Sequence, residues 1–227
     1  MTTAVLVLAA GRGERLGASL PKAFVPLCSV PILLRSLATL QSVPEIDSII
    51  PVLGAGDAPH YASLSLEGLN KVQGPVVGGA LRQDSMAEGL AALPPETEWV
   101  GVHDAARCLV DERDVQSVFQ AARDTGAAIL AERVRDTIKQ VREGQIVATP
   151  DRSECWAAQT PQVFRREILA EAIGKARAQG RLATDDAELV EQLGVSVRVV
   201  ESRRPNPKIT FAEDLHWAEH RLSSRGA

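Results

Sequence analysis

Apolar and polar positions along the chain follow a pattern in which short strands alternate with helices. Short apolar runs rich in β-branched residues, at 5–9 and 46–53, predict buried strands. Segments with apolar residues every three or four positions, at 31–40 and 110–124, predict helices that pack against them. We therefore predict an α/β fold with a mostly parallel sheet and helices on both faces. Further strands are predicted at 76–77, 99–103, 127–131, 156–158 and 195–201, further helices at 80–93, 165–178 and 184–193, and a last helix started by a capping box of Thr210 and Glu213.

Residues 133–155 interrupt this alternation. Apolar and polar residues alternate on both sides of Glu143-Gly144, which predicts a β-hairpin with a tight turn. Two strands alone are marginally stable in water, so the hairpin is expected to pack against something else. We predict that it is an arm that reaches a partner subunit. Residues 1–227 contain no linker or internal repeat and are expected to form one domain.

Composition excludes several classes of function. The 227 residues are 45% hydrophobic, which allows a large core, but only 4% are aromatic and the net charge is -4. Neither a stacking surface nor a basic surface for nucleic acid is therefore expected. No apolar run approaches the roughly 20 residues that cross a bilayer, and residues 1–10 lack the basic start of a signal peptide. The three cysteines are far apart and favour neither a disulfide framework nor a zinc ribbon. We expect a soluble cytoplasmic protein with no nucleic-acid or membrane partner.

A glycine-rich turn follows the first predicted strand, with the sequence AAGRGERLG at 9–17. Glycines in such a turn let backbone N–H groups approach phosphate oxygens closely. The cations Arg12, Arg15 and Lys22 outnumber the one acid, Glu14, so the turn suits a triphosphate. The glycine spacing fits neither the dinucleotide fingerprint nor a Walker A loop. A solvated surface loop is the alternative interpretation.

Two further motifs lie where predicted strands end. Gly78-Gly79 precedes Arg82 and Ser85 at a helix start, where free N–H groups favour an anion or a base edge. The sequence VHDAAR ends another strand, and ligands of open α/β sheets bind at such ends. There Asp104 can hold a magnesium ion or an acceptor hydroxyl, and Arg107 can clamp a phosphate. The alternatives are an ordinary strand-to-helix turn and a structural Asp–Arg pair.

These motifs are followed, in order, by VRDT-x-K, DR, QTPQ, TDD and KIT. In this series the chain resembles the 2-C-methyl-D-erythritol 4-phosphate cytidylyltransferases of non-mevalonate isoprenoid synthesis, nearly end to end. The resemblance implies a Rossmann-like three-layer fold of the nucleotide-diphospho-sugar-transferase type and a homodimer formed through the β-arm at 133–155. It also implies the substrates CTP and 2-C-methyl-D-erythritol 4-phosphate, with Mg²⁺. The chain departs from the family at Cys108, where proline is usual, and at Pro205-Asn206-Pro207, where an Asp-Asn pair is common.

The resemblance also implies roles for individual residues. Arg15, Lys22 and Lys208 would be catalytic and surround the reacting phosphates. Mg²⁺ would be held mainly by the CTP phosphates, with Asp104 as a candidate protein ligand. The residues implied for CTP binding are Ala9, Ala10, Gly11, Gly13, Gly79, Ser85 and Asp104. Those implied for the acceptor are Asp104, Arg107, Thr137, Thr160 and Thr184, together with Arg152 from the partner subunit.

No general base is needed for this reaction. A phosphate monoester has a second pKa of about 6 and is mostly dianionic near pH 7, so it can attack the α-phosphorus directly. A CDP-ribitol-forming cytidylyltransferase, which uses ribitol 5-phosphate, shares most of these motifs and is the alternative within the class. A non-catalytic nucleotide-binding subunit and an NAD-dependent oxidoreductase are alternatives from other classes. His216 and His220 fit the zinc motif H-x-x-E-H, but no later ligand follows them, so an exposed helix face is the preferred interpretation.

Overall fold

The structure is a computed structural model and describes residues 1–11 and 13–224. Arg12, one of the cations of the predicted glycine-rich turn, lies outside the described residues. The strands are β1 (Thr2–Ala9), β2 (Pro26–Leu27), β3 (Val30–Pro31), β4 (Ser48–Leu53), β5 (Val76–Val77), β6 (Thr97–Asp104), β7 (Ala127–Arg133), β8 (Gln140–Arg142), β9 (Gln145–Ala148), β10 (Trp156–Arg165) and β11 (Arg198–Glu201). The helices are α1 (Ile32–Ser42), α2 (Ala58–Ala62), α3 (Arg82–Ala91), α4 (Glu112–Thr125), α5 (Arg166–Ala178), α6 (Asp186–Glu191) and α7 (Ala212–Ser223). Within the described residues, none of these helices is long and apolar enough to cross a bilayer.

The main sheet, within the described residues, has seven strands in the order β11-β7-β10-β6-β1-β4-β5. Every pairing is parallel except those of β10, which runs antiparallel to both β6 and β7. The predicted α/β fold with a mostly parallel sheet is therefore confirmed. The chain moves outward from β1 to β4 and β5, and then returns to the other side of β1 at β6. The carboxyl ends of β1 and β6 thus flank the point where the strand order reverses, which is where open α/β sheets bind ligands.

Helices cover both faces of this sheet. Successive residues of a strand point to opposite faces, so Val5 of β1 packs into the cluster that contains Leu33 and Leu37 of α1. Leu6 packs on the other face, with Met86 of α3. All five side chains are fully buried, and each such burial contributes roughly 1.5–3 kcal/mol relative to exposure. The three-layer arrangement is confirmed, and it holds the ends of β1 and β6 rigidly.

The predicted hairpin forms from β8 and β9, which make a separate two-stranded antiparallel sheet. Glu143 and Gly144 at its turn have φ values of 49° and 77°, the positive values that tight hairpin turns favour. Val141 and Ile146 pair across the hairpin and are 55% and 62% exposed. The described chain therefore leaves apolar side chains of this arm uncovered, and its role in dimerisation stays a prediction.

The last helix is capped differently from the prediction. The carboxylate of Asp214 accepts the backbone N–H groups of Thr210 and Phe211, at 2.8 and 2.9 Å. The Thr210 hydroxyl donates to the carbonyl of Lys208, at 2.9 Å, and does not cap the helix. The predicted capping box of Thr210 and Glu213 is therefore wrong. Asp214 is the third residue of α7, from which a short carboxylate reaches back to the free N–H groups of the first turn.

Candidate active site

The glycine-rich turn leaves β1 at the carboxyl edge of the sheet and brings Lys22 back beside it. Gly13 has a φ of 70°, in the left-handed region that favours glycine. A Cβ at this position would also collide with the Cβ of Lys22. The Nζ of Lys22 donates a hydrogen bond to the carbonyl of Ile209, at 3.1 Å. Glycine at position 13 therefore allows the close approach that places the Lys22 ammonium group.

Asp104, the last residue of β6, is the centre of a charge cluster. Its Oδ2 lies 2.8 Å from Nζ of Lys208 and 4.0 Å from Nε of Arg107, and its Oδ1 lies 3.3 Å from Nε of Arg82. Burial alone would raise the pKa of Asp104, but the three facing cations hold it well below its ordinary value. The carboxylate is therefore ionised at neutral pH and fixed by its partners.

A cavity of about 180 Å³ opens above this carboxylate, between the ends of β1 and β6. Backbone from the glycine-rich turn forms one wall, and the connection from β5 to α3 forms another. Among the residues that line it are eight that the sequence assigned to the site, namely Ala9, Ala10, Gly11, Lys22, Gly79, Ser85, Asp104 and Lys208. The structure thus brings together motifs that are widely separated in the sequence.

The wall from β5 to α3 depends on Gly79. A Cβ at this position would overlap the Cβ of Asp84, so the loop can turn this tightly only with glycine. Ser85, one turn into α3, is buried and donates to the carbonyl of Leu81 at 3.1 Å. Its side chain and the loop backbone together form a small, polar surface of the kind that a base edge or a phosphate requires.

Positive charge exceeds negative charge at the cavity. Burial lowers the pKa of Lys22, and the nearby cations Lys208 and Arg15 lower it further, while Asp104 and Asp214 raise it. The Lys22 ammonium group is therefore short of counter-charge. A polyanion that enters the cavity would supply that charge and stabilise the protonated lysine. The site is electrostatically suited to an anionic ligand.

Thr160 and Arg107, both predicted to face the acceptor, lie behind the cavity wall. The Thr160 hydroxyl accepts the backbone N–H of Asp104 at 3.0 Å and lies 3.1 Å from Nδ1 of His103. The guanidinium of Arg107 donates to the carbonyl of Asn206, at 2.9 Å. Neither side chain belongs to the described residues that line the cavity. Both fix the backbone and charge around Asp104.

Thr137, Arg152 and Thr184 are not among the described residues that line the cavity. Thr137 and Arg152 are exposed and line a shallow groove at the base of the arm, where Arg152 donates to the carbonyl of Arg135 at 2.9 Å. Thr184 is exposed and donates through its N–H and hydroxyl to the carboxylate of Glu188, at 2.7 and 2.8 Å. Their assignment to the acceptor therefore stays a prediction.

Arg82 and Asp186 form an ion pair that no sequence motif predicts. Arg82 begins α3, lines the cavity and donates to both carboxylate oxygens of Asp186, at 2.6 and 2.8 Å. Asp186 begins α6 and is 1% exposed, and its backbone N–H donates to Oε1 of Gln162 at 3.1 Å. An arginine after Gly78-Gly79 and an acid in the TDD motif were visible in the sequence. Their pairing depends on the convergence of α3 and α6, which a linear pattern does not reveal.

Comparisons with known proteins agree with this geometry. The family described as 2-C-methyl-D-erythritol 4-phosphate cytidylyltransferase matches residues 3–224. The protein of that name from Desulforamulus reducens is 41% identical over 223 residues, covering 97% of this chain and 95% of its own length. The one from Symbiobacterium thermophilum is 45% identical over 217 residues, covering 95% and 90%.

Solved structures give the same result. The crystal structure of 4-diphosphocytidyl-2C-methyl-D-erythritol synthase from Anaerococcus prevotii superposes with a TM-score of 0.86 at 29% identity, over 98% of this chain and 96% of that one. The crystal structure of 2-C-methyl-D-erythritol 4-phosphate cytidylyltransferase from Thermus thermophilus has a TM-score of 0.80 at 32% identity, over 98% and 100%. Sequence and fold agree over nearly the whole length, and the chain therefore belongs to the 2-C-methyl-D-erythritol 4-phosphate cytidylyltransferase family.

Proposed function

We propose that this chain transfers the cytidylyl group of CTP to 2-C-methyl-D-erythritol 4-phosphate and releases pyrophosphate, in isoprenoid precursor synthesis. The observation that carries the proposal is the pair Lys22 and Lys208, which line one cavity together with Asp104 and the glycine-rich backbone. Family membership supports the identity of both substrates.

The reaction requires one polyanion to approach another. An oxygen of the acceptor phosphate attacks the α-phosphorus, the bond from that phosphorus to the bridging oxygen of the β-phosphate breaks, and pyrophosphate leaves. The attacking phosphate is already mostly dianionic near pH 7, so no proton has to be removed from it. The protein must therefore supply neutralising charge and in-line alignment.

The residues of the cavity suit these two tasks. Lys208 is held by the ionised Asp104, so its ammonium group is in place before a ligand arrives. Lys22 is held through the carbonyl of Ile209, and burial and neighbouring cations disfavour its charged form, so phosphate oxygens would stabilise it. Such preorganised donors act more strongly in a partly desolvated site than in water. We infer that both lysines stabilise the charge that develops on the departing pyrophosphate and at the α-phosphorus.

Magnesium fits this site as a companion of the nucleotide. Among the described residues, no group of three or more histidine, cysteine or acidic side chains forms a metal cage. Asp104 is a lone carboxylate at the cavity, and Mg²⁺ is commonly held by one or two carboxylates together with substrate phosphates. We propose that CTP phosphate oxygens supply most of its ligands and Asp104 is the candidate protein ligand. The ion would lower the net negative charge of the triphosphate.

We propose that the arm completes the acceptor site in a homodimer. Thr137 and Arg152 lie at the base of the arm, whose Val141 and Ile146 leave apolar surface exposed. In a dimer, one subunit would cover the apolar side chains of the other subunit's arm. That arm would then lie near Asp104 of the covering subunit, so that the two chains together hold acceptor residues that lie apart in a single chain.

The variants Val141→Glu and Ile146→Glu introduce charge on the arm and should give monomers that bind CTP but transfer its cytidylyl group poorly.

The matched control for this test is Leu182→Glu, which charges an apolar side chain that is 65% exposed outside the arm. Sedimentation velocity gives the oligomeric state, and calorimetric titration gives the affinity for CTP. A monomeric arm variant with full turnover would contradict the placement of Arg152 in a neighbouring site.

We propose that residues 1–227 act as one domain, since β1 contributes alternate side chains to both core clusters. We also propose that the protein works in the cytoplasm, because Cys28, Cys108 and Cys155 are free thiols, which a reducing compartment maintains.

The deciding experiment measures pyrophosphate release with CTP and Mg²⁺, using either 2-C-methyl-D-erythritol 4-phosphate or ribitol 5-phosphate as the acceptor in separate assays. We expect release with the first and almost none with the second. The opposite preference would leave the fold and the mechanism unchanged but identify the enzyme as a CDP-ribitol-forming cytidylyltransferase. Release with neither acceptor, from folded protein that still binds CTP, would replace the proposal with a non-catalytic nucleotide-binding role.

A further inference from the structure

Residues 208–211 include one of the three cations that are assigned to the reacting phosphates and contact the other two. Lys208 itself pairs with Asp104, and the carbonyl of Ile209 accepts a hydrogen bond from Lys22. The ring of Phe211 lies under the guanidinium of Arg15, whose Cζ is 5.5 Å from the ring centroid. One short segment therefore sets the positions of charges that come from opposite ends of the chain.

This segment is anchored independently of the cations. The N–H of Ile209 donates to the carbonyl of Ala106, just after β6, at 2.9 Å. The carboxylate of Asp214 accepts the N–H groups of Thr210 and Phe211. Phe211 is thus fixed to the sheet and to the first turn of α7, although its ring is 48% exposed. Burial of the ring alone does not account for an aromatic side chain here.

Arg15 needs such a support because of where it lies. It belongs to a short 3₁₀ helix, Glu14–Leu16, which has left-handed glycines at both ends, Gly13 and Gly17. The described residues give its guanidinium no carboxylate or carbonyl partner. An aromatic ring covers the face of a guanidinium and leaves the N–H groups in its plane free. A carboxylate at the same place would occupy those donors.

We infer that Phe211 is a positioning residue that holds Arg15 beside Lys22 with its N–H donors free for the phosphates of the incoming triphosphate. The inference rests on the proposed function, because the triphosphate is the ligand that Arg15 awaits. Orienting the guanidinium in advance removes part of the entropy lost on binding, so the contact increases the affinity for CTP without touching it. Phe211 belongs to none of the sequence motifs, and its role is inferred from its contact with Arg15.

The experiment compares Phe211→Leu, which keeps apolar volume but removes the ring face, with Phe211→Trp, which strengthens it. The dissociation constant for CTP with Mg²⁺ is measured by calorimetric titration without acceptor, so turnover does not enter. We expect Phe211→Leu to raise the constant about two- to five-fold, the effect of one exposed cation–π contact, and Phe211→Trp to keep it unchanged or lower it. Trp217→Leu is the control, since Trp217 lies on the same helix and is 40% exposed.

Coupling to Arg15 separates positioning from a general effect on the fold. In an Arg15→Gln background, Phe211→Leu should cause no further loss of affinity, because the cation that the ring holds is gone. A loss of the same size in both backgrounds would overturn the inference, as would unchanged affinity in Phe211→Leu. Wild-type protein that fails to bind CTP would overturn the proposed function, and the inference with it. Binding without any effect at position 211 would overturn the inference alone.

Discussion

The Nζ of Lys208 lies 2.8 Å from Oδ2 of Asp104, a contact that joins the segment before α7 to the carboxyl end of β6. Asp104 is also held by Arg82, so the position of its carboxylate does not depend on Lys208 alone. The lysine therefore presents a cation whose position is set before substrate arrives. Such preorganisation is what makes electrostatic stabilisation of a transition state effective.

Lys22 provides the first test of this charge arrangement. Lys22→Ala should lower turnover by about 100- to 1,000-fold, comparable to the removal of one preorganised donor, because the departing pyrophosphate loses a cation. The rate is measured as pyrophosphate release at saturating CTP and acceptor. Lys175→Ala is the control, since Lys175 is exposed and pairs only with Glu171 among the described acids. A near-normal rate in Lys22→Ala would show that this lysine does not act on the reacting phosphates.

His103 should make the fold sensitive to mild acid. Burial lowers the pKa of His103 to about 4, whereas an unfolded histidine titrates near about 6.5. At pH values between these two pKa values, His103 binds a proton in the unfolded chain but not in the folded chain. The free energy of unfolding therefore decreases as the pH falls from about 6.5 to about 4. The loss from this one group is absent above about pH 7 and approaches about 3 kcal/mol near pH 4.

Urea unfolding at several pH values between 7.5 and 4.5 measures this dependence. His103→Gln should flatten the decline in the free energy of unfolding, even if it lowers the value at neutral pH. His216→Gln, at an exposed position of α7, should leave the decline as it is. An equally steep decline in His103→Gln would assign the acid sensitivity to other groups.

Local signals in the sequence predicted most of the fold and several of the residues that line the cavity. The apolar runs predicted the strands because each buried strand is continuous in the chain. Gly144 marked the hairpin because a two-residue turn with positive φ values favours glycine. The strand ends at Ala9 and Asp104 met as expected, because parallel strands place their carboxyl ends at one edge.

Features that depend on tertiary packing were missed. Glu213 and Asp214 are adjacent acids, and only the backbone geometry of α7 shows that Asp214 caps the helix. The Thr160 hydroxyl, which is predicted to face the acceptor, also accepts the N–H of Asp104, a contact that no sequence motif reveals. The contact of Phe211 with Arg15 leaves no signal in hydrophobic patterning, since an exposed phenylalanine fits no periodic position.

Cys108, which directly follows Arg107, should be inert. Burial raises the pKa of the Cys108 thiol to about 11, so almost no thiolate is present at neutral pH. Cys28 is exposed and should be alkylated in the native protein. Mass spectrometry of native protein treated with iodoacetamide at pH 7.5 should find Cys28 modified and Cys108 modified only after denaturation. Equal labelling rates would contradict a buried, protonated thiol.

The ion pair of Arg82 and Asp186 should matter more for stability than any exposed pair of the same chemistry. Asp186→Asn leaves the Arg82 guanidinium facing an uncharged group next to Asp104, and breaking a buried pair costs about 3–5 kcal/mol. We expect about 3 kcal/mol, at the lower end, since the Arg82 side chain keeps 31% exposure and its contact with Asp104. Glu167→Gln breaks the pair with Arg165, whose side chains are 73% and 54% exposed, and should cost less than about 1 kcal/mol.

Urea unfolding of both variants tests this contrast, and a double variant separates the fold from the site. Replacing both partners, as Arg82→Met with Asp186→Leu, removes both charges of the pair and should recover most of the stability that Asp186→Asn loses. The same double variant should transfer cytidylyl groups poorly, because Asp104 has lost one of the cations that orient its carboxylate. Equal stability losses in Asp186→Asn and Glu167→Gln would mean that solvent reaches the Arg82 pair, and that α6 is not held to the cavity wall by charge.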